Sequence, residues 1–334
     1  MRDFGCPTCG QHLAFENSIC LSCGSAVGFS PPDMAFRVVG PAGAEGYQLC
    51  ANLHLAQCNW LVPAFPAGQL CASCALTRTR PADIDHAGMA AFAEAERAKR
   101  RLIADLYELR LPVVGRRDDP HHGLAFDLLS SAEAQVVTCH DNGVITVDLA
   151  EGDDIHRERR RLDLDEPYRT LLGHFRHEIG HYYFHRLVAG APGRLDRFRC
   201  LFGDPDQDYQ AAVARHYSQG APVDWQLNHV SAYATMHPAE DWAETFAHYL
   251  HIRSTLDTAA AYGLAPAAGS YRSALGPNGF DTIIEIWLPL AWSLNMVNRS
   301  MGKPDLYPFV LSVPVLEKMR LIHGVLQGWP TVGW

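Results

Sequence analysis

The sequence predicts an α+β protein: a small cysteine-rich head of short strands, then a larger, mainly helical domain with a short sheet. Three observations carry that reading. Eight of the ten cysteines lie before Ala75, six of them in Cys-x-x-Cys pairs. From His86 onward, long stretches have helix composition and helical apolar spacing. Two runs rich in β-forming residues, Gln135–Cys139 and Val144–Leu149, flank Asp141-Asn142-Gly143, a hairpin signal. A chain of 334 residues suits two domains, here 1–80 and 81–334.

The head begins with Cys6-Pro-Thr-Cys9 and, ten residues on, Cys20-Leu-Ser-Cys23, with Gly10 and Gly24 directly behind. Two thiolates three positions apart can grip one tetrahedral ion through a tight turn, and glycine lets the backbone approach the sulfurs. Two such knuckles complete a four-cysteine zinc site. Cys50, Cys58, Cys71 and Cys74 form a second set with looser spacing, read as a second structural zinc. Cys50 and Cys58 could instead be small buried hydrophobes, His12 or His54 could substitute as ligands, and spacing leaves open whether the two sets pair locally or interleave. With few large aliphatic residues, this zinc-ribbon head would draw much of its folding energy from metal.

Charge gives no support to a nucleic-acid partner. The whole chain carries −9, and within residues 1–80 Arg2, Arg37, Arg78 and Arg80 balance Asp3, Asp33, Glu16 and Glu45. The head is therefore expected to dock a protein or stabilise the fold. No N-terminal apolar run reads as a secretory signal, and no stretch reaches the length of a membrane helix. A cytoplasmic, soluble protein is expected, and there cysteine pairs favour metal over disulfide.

His86 to Pro112 reads as one helix whose stripe of Phe92, Leu102, Ile103, Leu106 and Leu109 is expected to pack across the second domain. Val144–Leu149 is a candidate edge strand that could pair with an extended substrate, or a purely structural hairpin. Glu151–Arg161 is a solvated mixture of charges. Asp204-Pro-Asp206-Gln-Asp208 starts like a calcium loop, but Tyr209 stands where glycine is required, so a polar loop is expected. Asp281–Arg299 and Val313–Leu326 read as covering helices.

The chemistry concentrates in two segments. His177-Glu178-Ile179-Gly180-His181 puts two imidazoles four apart on one helical face, with Glu178 one step round and able to reach a metal-bound water. Downstream, His237-Pro238 opens a helix carrying Glu240, Glu244 and His248 on one line, with Trp242, Phe246, Tyr249 and Leu250 opposite. Catalytic zinc takes three protein ligands and keeps a fourth place for water. Glu240 is assigned as third ligand and Glu244 as the acceptor of a ligating histidine's outer N–H; the reverse order stays open. Asp241 points about 100° away. His174 and His185 read as cavity-edge or core residues.

The H-E-x-x-H followed by E-x-x-x-E resembles the gluzincin peptidases, and E-x-x-A-E at Glu240–Glu244 is similar to the lethal-factor type of toxin metallopeptidase. That resemblance implies a transition-state role for a tyrosine seven residues before the ligand glutamate, here Tyr233, a donor to a developing oxyanion; His237 competes, and Tyr233 could simply pack. A metzincin would need histidine at Leu187. Most of the chain, through Cys6 to Cys23, Cys58-Asn-Trp, the segment from Glu166 and His237–His251, also resembles bacterial zinc-binding metallopeptidases with an N-terminal zinc ribbon.

The expected function is a zincin-like peptidase with one catalytic and two structural zincs, peptide or protein as substrate, and Glu178 as general base. The alternatives are a zinc amidase acting on a non-protein amide and a non-catalytic zinc-binding adaptor.

Overall fold

The computed structural model describes residues 3–40, 46–131, 136, 138–152, 170–271, 276 and 278–328. The charged stretch from 153 and the Glu166–Arg169 part of the resemblance lie outside them. Contacts divide the chain into two units, residues 1–156 with 332–334, and residues 157–331, and the class is α+β.

The first unit opens with three two-stranded antiparallel ribbons: β1 (Phe4–Gly5) with β2 (His12–Leu13), β3 (Val27–Ser30) with β4 (Ala35–Val38), and β5 (Tyr47–Leu49) with β6 (Leu61–Pro63). Their core is aromatic: Phe4, Phe15, Phe29, Phe36 and Trp60 are buried and meet largely edge to face. Asn59 donates to the carbonyls of Phe15 and Asn17 at 2.8 and 3.0 Å, tying the segments that hold the two cysteine sets. Gly10 and Gly24 adopt φ of 74° and 72°, which glycine takes without steric cost, and each donates back to the carbonyl of the first cysteine of its knuckle.

A four-stranded sheet follows, in the order β7 (Thr77–Thr79), β8 (Ala125–Leu129), β10 (Val144–Asp148), β9 (Cys139–Asp141). The Asn-Gly hairpin forms as expected: Asn142 and Gly143 have φ of 46° and 87° between antiparallel β9 and β10. The edge-strand expectation for 144–149 does not hold. Strand β10 pairs with β8 in parallel over its whole length and with β9 from Val144 to Thr146, so along those three residues its ladder is filled on both sides.

Helix α1 (His86–Glu108) is capped by Asp85, which accepts from Gly88 N. Phe92, Leu102, Ile103 and Leu106 of its apolar stripe are buried and the helix packs on β8 and on the turn at Leu149–Gly152, and it also docks on the head. Arg100 donates to the carbonyls of Ala56 and Gln57, Arg101 pairs with Glu16 at 2.5 Å, and Cys74 Sγ lies 3.6 Å from Glu96. The reason is polar. Glu96 and Lys99, paired at 2.6 Å, are fully buried, and Arg100 nearly so; the pair and the carbonyl partners hold the helix where they can be satisfied.

The second unit is helical: α2 (Leu171–Phe184), a π-helical turn at His185–Ala189, α3 (Pro192–Phe202), α4 (Tyr209–Gln219), α5 (Pro238–Ala261), α6 (Phe280–Ser300) and α7 (Val313–Gln327). The buried helix α5 packs on α2, α3, α6 and α7. Trp242 sits in an aromatic nest of Phe184, Phe198, Phe202 and Phe246, and its indole N–H donates to Gly180 O at 2.9 Å. The buried ion pair of Lys318 and Asp241, at 2.6 Å, fastens α7 to α5. Among the described residues, no helix is long and apolar enough to cross a membrane.

Candidate metal centre

The cysteines assemble into two local sets, Cys6–Cys9–Cys20–Cys23 and Cys50–Cys58–Cys71–Cys74, each with sulfurs within 4.8 Å of one another. Cys6–Cys23, Cys9–Cys20 and Cys58–Cys71 stand 3.7 Å apart. A tetrahedral zinc with bonds of about 2.3 Å needs edges of about 3.8 Å, far longer than a disulfide's roughly 2 Å. The spacing fits zinc, and the sets do not interleave. Cys50 and Cys58 are ligand-set members as well as buried residues. His12 pairs with Asp3 and His54 is exposed; neither joins a set.

Helices α2 and α5 build the third cluster. Thr170 caps α2, accepting from Gly173 N at 3.0 Å. Nearly three turns on, Gly180 meets α5: a Cβ there would stand 3.0 Å from Ala243 Cα and 3.3 Å from Ala243 O. Only glycine lets the backbones approach so closely, and that approach brings the α5 carboxylates to the α2 imidazoles. Gly180→Val is expected to cost about 1–3 kcal/mol through overpacking, read as a lowered melting temperature; a wild-type value would contradict the close crossing.

His177 Nε2 lies 3.0 Å from Glu240 Oε2 and 3.2 Å from His181 Nε2, while His181 Nε2 lies 3.5 Å from Glu240 Oε1. Nitrogen and oxygen ligands about 2.0–2.1 Å from a tetrahedral ion are separated by about 3.3 Å, so this donor set fits one zinc ion. Glu244 Oε1 accepts from His177 Nδ1 at 2.7 Å, and its Oε2 accepts from Ser231 Oγ at 2.7 Å. That bond fixes the tautomer of His177 and leaves Nε2 to face the cluster. Burial works to raise both carboxylates, yet His181 and His177 hold Glu240 well below the usual range, and His177 and Ser231 help bring Glu244 to about 2. Against its own burial, His177 is pushed well up by the two glutamates. The site attracts positive charge.

Glu178 is buried, and burial raises its pKa against the pull of His177 and His181. Among the described residues, its Oε2 has no hydrogen-bond partner. The Tyr233 ring stands 6.0 Å from that of His177; burial, then Glu240, push its phenol well above 10. His237 is the N-cap of α5: Nδ1 accepts from Ala239 N at 3.1 Å and Nε2 donates to Gln207 O at 3.2 Å. With both nitrogens engaged, it has no N–H left for an oxyanion. Asp241 is occupied by Lys318, His174 is half-buried and His185 exposed.

Two residues were not singled out in the sequence. Tyr209 donates to Glu240 Oε1 at 3.0 Å, and Ser231 orients Glu244. Asp208, in the calcium-like stretch, caps α4 by accepting from Ala211 N, which makes that segment a capping loop.

Beyond the cluster, His248 and His251 are buried; His248 Nδ1 lies 2.9 Å from the Tyr307 hydroxyl, and Arg176 donates to His251 Nδ1 at 2.5 Å. Burial lowers His248 to about 4 and His251 well below 6.5. A histidine with a depressed folded-state pKa contributes stability that is present above about pH 6.5 and lost as pH falls toward 4. For His248 the loss is about 3 kcal/mol. The urea midpoint should fall between pH 7 and 5, less steeply in His248→Gln; identical pH profiles would contradict a buried neutral imidazole.

Two four-cysteine clusters and a histidine–histidine–glutamate cluster define an α+β zinc-binding protein. The family described as "Putative zinc-binding metallo-peptidase" matches residues 88–325, and a zinc-ribbon domain matches residues 3–85. The chain belongs to that metallo-peptidase family. Uncharacterized proteins of Mycobacterium bovis and of two Mycobacterium tuberculosis strains are each 68% identical to it over 328 residues, covering 98% of this chain and 96% of theirs. No solved structure matches it.

Proposed function

We propose that the protein is a gluzincin-like peptidase that hydrolyses peptide bonds at the His177–His181–Glu240 centre. The observation that carries this reading is Glu178: a buried carboxylate beside the cluster, with one oxygen that has no hydrogen-bond partner among the described residues. A buried unsatisfied carboxylate oxygen is costly, and a purely structural metal site gains nothing from it. Zinc held by the two histidines and Glu240 would polarise an amide carbonyl and lower the pKa of water to about 7. Glu178 takes the proton from the attacking water and returns it to the leaving amine. Tyr233, which keeps its phenolic proton at neutral pH, donates to the developing oxyanion. Glu244 and Ser231 hold His177 in register. The close α2–α5 pair supports a zincin-like helical core.

The reading is tested by exposing the full chain to a peptide library with and without chelator. Cleavage lost to chelator and restored by zinc supports it. Absence of peptide cleavage by a protein carrying its full metal complement would overturn it in favour of an adaptor, and cleavage restricted to non-peptide amides in favour of an amidase.

A further inference from the structure

Helix α4 lies at the surface of its unit, and Ala212 is its one buried residue. It is bracketed by Gly203 and Gly220, with φ of 100° and 73°, backbone conformations that a side chain rarely adopts. Its first residue, Tyr209, is 40% exposed, yet the phenol reaches inward and donates to Glu240 Oε1 at 3.0 Å. The approach is built. His237 donates to the carbonyl of Gln207, two residues before Tyr209, and its ring meets the tyrosine edge to face at 5.3 Å. His237 also caps α5, three residues before Glu240. The chain entering α4 is thus tied to the turn of α5 that bears the carboxylate.

We propose that Tyr209 is a positioning residue of the metal centre, whose hydroxyl fixes the Glu240 carboxylate. The proposal rests on Glu240 being a metal ligand, as in the functional reading above. The terminal torsion of a glutamate is broad, so an unrestrained carboxylate would present either oxygen. A donor on Oε1 selects one orientation and leaves Oε2 toward His177. Tyr209 touches neither the ion nor the reacting atoms in this role.

Removing a partner of this kind costs about 10–100-fold in metal affinity. The test compares full-length Tyr209→Phe with wild type by zinc retained per chain after equilibration with graded chelator. The phenylalanine keeps the ring on His237 and deletes only the hydroxyl. The expected result is release of the most readily removed zinc at about 10–100-fold lower chelator, with the two cysteine-held zincs unmoved. Tyr217→Phe, which deletes an exposed hydroxyl on the same helix, should match wild type. Release of that zinc at the wild-type chelator concentration would overturn the proposal, and so would a parallel shift of all three zincs, which would mean general destabilisation. No substrate enters this measurement, so failure of the peptidase reading is a separate result.

Discussion

Glu178→Gln is expected to leave the zinc content unchanged while hydrolysis falls by about 10²–10⁴-fold, the usual contribution of a positioned general base. Glutamine has nearly the shape of glutamate, and Glu178 lies outside the His177–His181–Glu240 set, so neither packing nor metal should be lost. What disappears is the ability to take a proton. Burial raises the pKa of Glu178, toward the working pH where a base is most effective. The check is kcat beside zinc per chain for the two proteins. Unchanged turnover would remove Glu178 from the mechanism, and loss of zinc would make it a structural support of the site.

Cys71→Ser is expected to have the largest effect on the fold. The second cysteine set is wholly buried, and structural zinc contributes on the order of 10 kcal/mol to folding, comparable to the entire stability of a domain. Losing one thiolate also removes negative charge from around Arg100, whose charge favours the thiolate of Cys58. The aromatic cluster of the head contains few aliphatic side chains to compensate. The variant should carry one zinc fewer, and residues 1–80 should become protease-sensitive. Full zinc content with a protease-resistant head would show that the aromatic core alone suffices.

Local devices were legible in the sequence. The cysteine knuckles with their glycines, the Asn-Gly hairpin, the two covering helices and the His177/His181 and Glu240/Glu244 pairs all follow from spacings of a few residues. What escaped depends on contacts between distant segments. The placement of β10 between β8 and β9 follows from a parallel pairing with a strand that ends fifteen residues earlier, and no local pattern encodes that order. The docking of α1 on the head was hidden because its decisive residues are Glu96, Lys99 and Arg100, charges that ordinarily mark a solvated face. Tyr209 was hidden in a stretch that resembles a calcium loop, and its reach to Glu240 spans thirty-one residues. His237 looked chemically available until its two nitrogens were found in a helix cap and a loop tether. Gly180 lies inside the most conspicuous motif, where its neighbours draw the eye; only the Ala243 backbone against it explains the glycine.

The central claim is that α2 and α5 present two imidazoles and one carboxylate to a single ion. It is tested most directly by counting zinc per chain in wild type and in the His177→Ala/His181→Ala double variant. The three clusters predict three zincs in wild type and two in the variant, with the head still folded. Two zincs in both proteins, or three in both, would contradict it.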